Sequence, residues 1–125
     1  MFVEYEVKKS RFLAYVVSID EFEKRLQELK KKHKKARHFV WAYRYEEDGV
    51  LKEKKDDDGE PSGSSGSAVL NVLQKKDILG YAVIVVRYFG GVKLGFGGLV
   101  RAYSKSASLA LERFFNKSLK SSSIF

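Results

Sequence analysis

The sequence contains no cysteine, a single proline and only two histidines. Without cysteine there is no disulfide framework, no thiolate nucleophile and no Cys-based metal site, a pattern that suits a reducing compartment. Two histidines without cysteine also give a zinc site little support. One proline and ten glycines in a chain that is 44% hydrophobic argue against a disordered or fibrous protein. Long hydrophobic runs are missing too. The longest, Tyr81 to Val86, falls far short of the ~20 residues a membrane span needs. The start, MFVEYEVKKSR, has no apolar signal core behind a basic end. The expectation is a soluble, cytoplasmic protein with no membrane partner.

Acidic residues are outnumbered, 16 to 24, leaving a net charge of +8. This balance favours polyanionic partners such as RNA, the ribosome or an acidic protein face, or else serves solubility alone. A length of 125 residues is that of one domain with one substantial core, so 1–125 is read as a single domain.

Phe2 to Val7 and Phe12 to Val17 are rich in aromatic and β-branched residues and read as two strands joined by the polar turn Lys8–Arg11. Ser18 and Glu21 form an S-x-x-E capping box opening a helix, whose apolar stripe is Phe22, Leu26, Leu29 and His33. Lysines crowd its far end, where the helix dipole favours positive charge. Arg37 to Tyr45 alternates as a strand, with Phe39, Trp41, Tyr43 and Tyr45 on one face and His38, Val40, Ala42 and Arg44 on the other. After a turn at Glu46–Gly49, Val50 to Lys55 is a charged strand suited to a sheet edge. Asp56 to Gly66 is a loop by composition. A short helix follows through Ala68, Val69, Val72 and Leu73. Tyr81 to Val86 reads as a fully buried central strand. A helix from Leu99 to Phe115 then buries Val100, Tyr103, Ala107, Ala110, Leu111 and Phe114, and the tail SLKSSSIF frays. The order ββαββαβα predicts an α+β fold: a mixed or antiparallel sheet of four to five strands with helices packed on one face.

Three segments could carry chemistry. The first is RYFGGVKLGFGGLVRAYS, Arg87 to Ser104, where Gly90, Gly91, Gly95, Gly97 and Gly98 lie between the buried strand and the last helix. Glycine admits close approach of a partner, helix-start N–H groups attract anions, and Arg87, Lys93 and Arg101 add positive charge. The spacing matches neither a Walker A loop nor a dinucleotide fingerprint. An oxyanion site and a tight strand-to-helix connection are both open readings. The second is DDDGEPSGSSG. Its clustered carboxylates suit a divalent metal or general acid–base work, but consecutive acids need not converge, and a solvated loop or internal partners for basic residues compete with that reading. The third is KKKHKKAR, Lys30 to Arg37, a phosphate-contacting run or a solvated helix end. The aromatic row of the third strand could stack on bases or belong to the core. His38 reads as a hydrogen-bonded structural residue. No G-x-S-x-G elbow or other complete catalytic set is present. Catalytic residues, metal ligands and cofactors are therefore expected to be none.

KKSRFLA (Lys8–Ala14), HFVWAY (His38–Tyr43), DDGEPSG (Asp57–Gly63) and RYFGGVKLGFGGLVRAYS together resemble the IMPACT family of YigZ-like proteins, across nearly the whole chain. The resemblance implies a fold similar to the second domain of small-subunit ribosomal protein five, shared with domain IV of elongation factor G. It also implies a role in translation, since eukaryotic relatives relieve an amino-acid-starvation kinase through a shared scaffold partner. Many bacterial relatives carry a ferredoxin-like C-terminal domain, expected to be absent here. Where the family has Thr-Ala-Gly-x-Pro after DDGEPSG, this chain has Ser64, Ser65, Gly66 and Ser67, so capping of the next helix would fall to Ser64 or Ser67.

The leading expectation is a non-enzymatic module that binds RNA, the ribosome or another anionic partner. Arg87, Lys93 and Arg101 would contact it at the Gly-rich loop, widened by Arg11, Arg37 and Lys105. His38, Asp57, Asp58 and Glu60 would shape the site or pair with those bases. The alternatives are an interaction module for a translation-control protein and an enzyme acting on a phosphorylated small molecule.

Overall fold

The computed structural model describes residues 2–123, with side chains described as far as residue 116. Five strands form one sheet: β1 (Val3–Val7), β2 (Ser10–Ser18), β3 (His38–Glu47), β4 (Val50–Asp56) and β5 (Tyr81–Tyr88). Their order is β1-β2-β5-β3-β4 and every neighbouring pair is antiparallel. The helices of the described residues are α1 (Phe22–Lys32), α2 (Gly66–Lys75) and α3 (Gly95–Ser123). The α+β class and the element order match the expectation, with five strands and a purely antiparallel sheet.

The placement of the helices does not match it. They cover both faces of the sheet. Alternation along the strands sends Phe12, Ala14, Val40, Ala42, Val83 and Val85 toward α2 and α3. It sends Leu13, Tyr15, Val17, Ala82, Ile84 and Val86 toward Phe22, Leu26 and Leu29 of α1. The unbroken apolar run of β5 requires this, because a one-sided arrangement would leave Ile84 and Val86 in water.

Both hairpins close through two-residue turns with φ > 0 at each residue, Lys8–Lys9 (48° and 68°) and Asp48–Gly49 (53° and 76°). That geometry matches the twist of the paired strands. β2 accordingly starts at Ser10, two residues before the expected strand. The capping box is not formed: β2 runs through Ser18, a 3-10 turn occupies Ile19–Glu21, and neither Ser18 nor Glu21 makes a side-chain cap. α3 begins at Gly95, ahead of the expected Leu99, and buries Leu99, Ala102, Tyr103, Ser106, Ala107, Ala110 and Leu111, while Phe114 is exposed. The tail expected to fray, from Ser118, is helical through Ser123, and its last two residues lie outside the described residues. No helix among the described residues is long and apolar enough to cross a membrane.

Candidate functional site

The end of β5 fixes the site. Arg87 is paired with Phe12 of β2 and with His38 of β3, so the three side chains share the face under α2 and α3. The β4–α2 connection, from Asp57 to Ser65, lies over them. Its Glu60 is 7% exposed and Arg87 4% exposed. Arg87 Nη1 donates to Glu60 Oε1 and Oε2 at 2.9 and 2.7 Å, and Nη2 donates to Ser10 Oγ at 3.1 Å. From α3, the buried Tyr103 hydroxyl donates to Glu60 Oε2 at 2.5 Å. Burial pushes the Tyr103 phenol well up, and the Glu60 carboxylate reinforces the shift, so it stays a donor. The Arg87 guanidinium also sits 5.4 and 5.6 Å from the ring centres of Phe12 and Phe89.

The other carboxylates of the segment are committed to the backbone. Asp57 Oδ1 accepts the N–H groups of Ser65 and Gly66 at 3.1 and 2.8 Å, and Oδ2 that of Gly63 at 2.9 Å. Burial alone would raise the Asp57 carboxyl. The three N–H donors and nearby Lys55 outweigh it and hold the group below its ordinary value. Asp57 thus caps α2, and the serines do not: Ser64 Oγ donates to the Pro61 carbonyl and Ser67 Oγ accepts from Lys55. Asp58 Oδ2 accepts the Phe39 N–H at 2.6 Å. His38 Nδ1 donates to the Asp58 carbonyl at 2.8 Å, and its Nε2 stands 3.4 Å from Glu60 Oε1.

The basic residues divide into two groups. Arg87 is a buried partner of Glu60 and takes no part in an exposed cationic surface. Burial strips the guanidinium of its hydration, and Glu60, Ser10 and two rings stand in for the water. Arg11 lies on the opposite, α1 face, paired with Glu4 at 2.7 Å and placed 5.2 Å from the ring centre of Tyr88. Arg37, Lys93, Arg101 and Lys105 are exposed. Arg37 sits 5.0 Å from the Phe89 ring centre, and Arg101 packs beside Gly97 in the first turn of α3. None of these four makes an ion pair among the described residues. Residues 78–111 include no Asp or Glu at all.

The glycines have separate tasks. A Cβ on Gly90 would lie 2.1 Å from the Lys9 carbonyl carbon, so the Gly-rich loop and the β1–β2 turn touch backbone to backbone. Gly90 N–H also reaches Ser10 Oγ at 3.3 Å. Gly91 is exposed, and Gly95 opens α3 at φ +75°. Gly97 and Gly98 form the first turn of that helix. Sequence reasoning missed two members of the buried cluster, Ser10 and Tyr103. The signal for Tyr103 was available: a hydroxyl on the buried stripe of a helix requires a partner. Among the described residues there is no cluster of three His, Cys, Asp or Glu side chains arranged to hold a metal ion.

The Impact N-terminal domain family matches residues 8–111. The Bacillus subtilis protein "IMPACT family member YvyE" is 42% identical over 111 residues, 86% of this chain and 51% of that protein. A solved structure described as a hypothetical protein superposes with a TM-score of 0.82 at 32% identity, over 90% of this chain and 56% of the other. The two-domain translational regulator Yih1 superposes with a TM-score of 0.53 at 25% identity, over 87% of this chain and 45% of Yih1. The chain spans about half the length of these relatives.

Proposed function

The chain belongs to the IMPACT family through its N-terminal domain, and from that premise we propose a cytoplasmic, non-catalytic module of translation control that binds RNA or the ribosome through the basic surface around the Gly-rich loop. One observation carries the reading. Lys93, Arg101 and Lys105 are exposed and unpaired among the described residues, in a stretch without a single carboxylate from 78 to 111, and Arg37 beside Phe89 is exposed and unpaired too. The nearby acidic segment does not neutralise them, because Asp57, Asp58 and Glu60 are spent on internal contacts. That commitment also supports a binding role over catalysis, since an acid or base held by backbone donors is not free to exchange protons with a substrate. The likeness to a translational regulator supports the biological setting.

The test is binding of a labelled RNA oligonucleotide, and cosedimentation with ribosomes, across a salt series. Affinity falls steeply with salt, and each of Lys93→Ala, Arg101→Ala and Lys105→Ala lowers the log–log slope by roughly one unit for each phosphate left without its cation. Salt-independent binding, or an unchanged slope in the triple variant, rejects the reading.

A second reading is an interaction surface for a translation-control protein. Phe89, Val92 and Phe96 are 38%, 44% and 55% exposed beside the same cations. Such apolar exposure fits a protein partner better than phosphate. It predicts a complex that survives nuclease and disappears on Phe96→Ala. An enzyme acting on a phosphorylated compound would instead lose turnover, with folding intact, in Asp58→Asn.

A further inference from the structure

α1 covers only part of its side of the sheet. Its buried side chains share a core with β2 and β5, and toward β3 Phe22 meets Trp41 and Tyr43 edge-on with ring centres 4.9 and 5.3 Å apart. Beyond Phe22, toward β4, the face is uncovered. α2 lies on the other side of β4, where Ser67 and Gln74 bond Lys55 and Glu53. The residues of β4 on the open face are Asp56, Lys54, Lys52 and Val50, directly opposite Trp41, Tyr43, Tyr45 and Glu47.

The open face carries a row of rings. Trp41 and Tyr43 are parallel within 6°, with centres 5.6 Å apart, and Tyr45 continues the row at 5.7 Å from Tyr43. All three are only partly buried. Arg37 precedes β3 at the Gly-rich end of the sheet, so the row continues from the basic surface described above. Its own charges are of both signs. Glu47 is held by Lys52 at 2.7 Å and Asp56 by the Asp58 N–H at 2.8 Å, whereas Lys54 is unpaired among the described residues. Glu23 of α1 is the acidic group that acts on Tyr43 from the helix side.

We propose that Trp41, Tyr43 and Tyr45, with Lys54 beside them, form a stacking platform for the bases of single-stranded RNA. The inference rests on the RNA-binding reading above and adds where the bases lie. Three neighbouring rings on an open sheet surface, with a free cation alongside for the backbone, match what unpaired bases require: π-faces to stack on and charge for phosphate. A duplex, whose bases are stacked internally, has no use for the row.

Trp41 is the only tryptophan in the chain, so its emission reports this face alone. The experiment titrates the protein with an end-labelled single-stranded oligoadenylate and with the same strand annealed to its complement, following label anisotropy and Trp41 emission together. The single strand quenches Trp41 and the duplex does so far less. Tyr45→Ala weakens single-strand binding about 5- to 150-fold, and Lys54→Ala lowers its log–log salt slope by roughly 0.7. Tyr45 is partly exposed, so its removal leaves the fold intact, and circular dichroism checks this. Should that variant unfold, the Trp41 quench and the Lys54→Ala slope decide the matter alone. If the oligonucleotide binds while Trp41 emission, Tyr45→Ala affinity and the Lys54→Ala slope are unchanged, the platform is wrong and the RNA reading stands. If no oligonucleotide binds, both fall. If Tyr45→Ala removes a nuclease-resistant protein complex and spares oligonucleotide binding, the face belongs to a protein and the inference is overturned.

Discussion

Arg87 and Glu60, 27 residues apart in sequence, form a 2.7 Å ion pair whose side chains are 5% and 3% exposed. The pair joins the central strand to the β4–α2 connection, and Tyr103 and Ser10 add hydrogen bonds to it from α3 and β2, while the buried Arg87 Nε has no partner among the described residues. A basic residue at the heart of the Gly-rich motif is thereby an internal fastening, whereas Lys93 and Arg101 of the same motif are exposed.

Removing one member strands the other charge in the interior. Glu60→Ala should destabilise the domain by about 3–5 kcal/mol in urea unfolding. Adding Arg87→Met to Glu60→Ala should restore much of that stability, because the uncompensated guanidinium is gone. Tyr103→Phe should cost about 1–3 kcal/mol, as a buried carboxylate oxygen loses its phenol donor. A Glu60→Ala protein as stable as the parent would show that the pair does not hold the segment down.

Much of the fold is legible in the chain. The period-two aromatics of β3 and the apolar run of β5 mark their strands, and helical spacing marks Phe22, Leu26 and Leu29. The role of Arg87 is not legible, because a charge in sequence does not display a partner 27 positions away. A motif rich in Gly and Arg looks the same whether its arginine faces water or a carboxylate. The acidic run is ambiguous for a related reason. Asp57, Asp58 and Glu60 are near neighbours, yet they serve a helix cap, a strand N–H and a buried ion pair. Only the folded chain separates these tasks. The two-sided helix arrangement, by contrast, is implied by Ile84 and Val86, whose side chains need cover on the face that α2 and α3 do not reach.

The cap on α2 gives a sharp comparison. Asp57 satisfies the N–H groups of Gly63, Ser65 and Gly66, whereas Ser67, already inside the first turn of α2, only accepts from exposed Lys55. Asp57→Ala should cost about 1–2 kcal/mol, and Ser67→Ala within about 0.5 kcal/mol of nothing. Equal costs in thermal unfolding would mean that the serine caps the helix after all.

Gly90 is constrained by contact. A Cβ there would meet the Lys9 carbonyl carbon at 2.1 Å, backbone against backbone, with no flexible side chain to swing aside. Gly90→Ala should destabilise by about 1–3 kcal/mol or more through forced backbone shifts, and amide exchange should quicken at Ser10 and along β1. Gly91, exposed and clear of neighbours, sits at φ +90°, so Gly91→Ala carries backbone strain and no clash. The two variants should differ in exchange at Ser10, with Gly91→Ala leaving it slow.

His33 sets the response to mild acid. Its Nδ1 lies 2.6 Å from the Tyr88 hydroxyl and its Nε2 3.2 Å from that of Tyr15. Burial lowers its pKa in the folded protein, with Lys32 and Arg11 adding to the shift. The folded state therefore binds its proton less readily than the unfolded chain, so stability rises with pH through this group. Its contribution is full above the ordinary histidine value of about 6.5. It is lost as pH falls below that value toward the lowered folded-state pKa. Asp57 acts in a separate, more acidic window: its lowered carboxyl contributes above about 4 and is lost as pH falls through its folded value. The urea midpoint of the parent should thus be lower at pH 5.5 than at pH 7.5, and His33→Gln should remove the part of the fall that His33 carries. An identical drop in both proteins would assign the acid sensitivity to another group, and a direct titration of the His33 ring resonance would then have to place its pKa at or above the ordinary value.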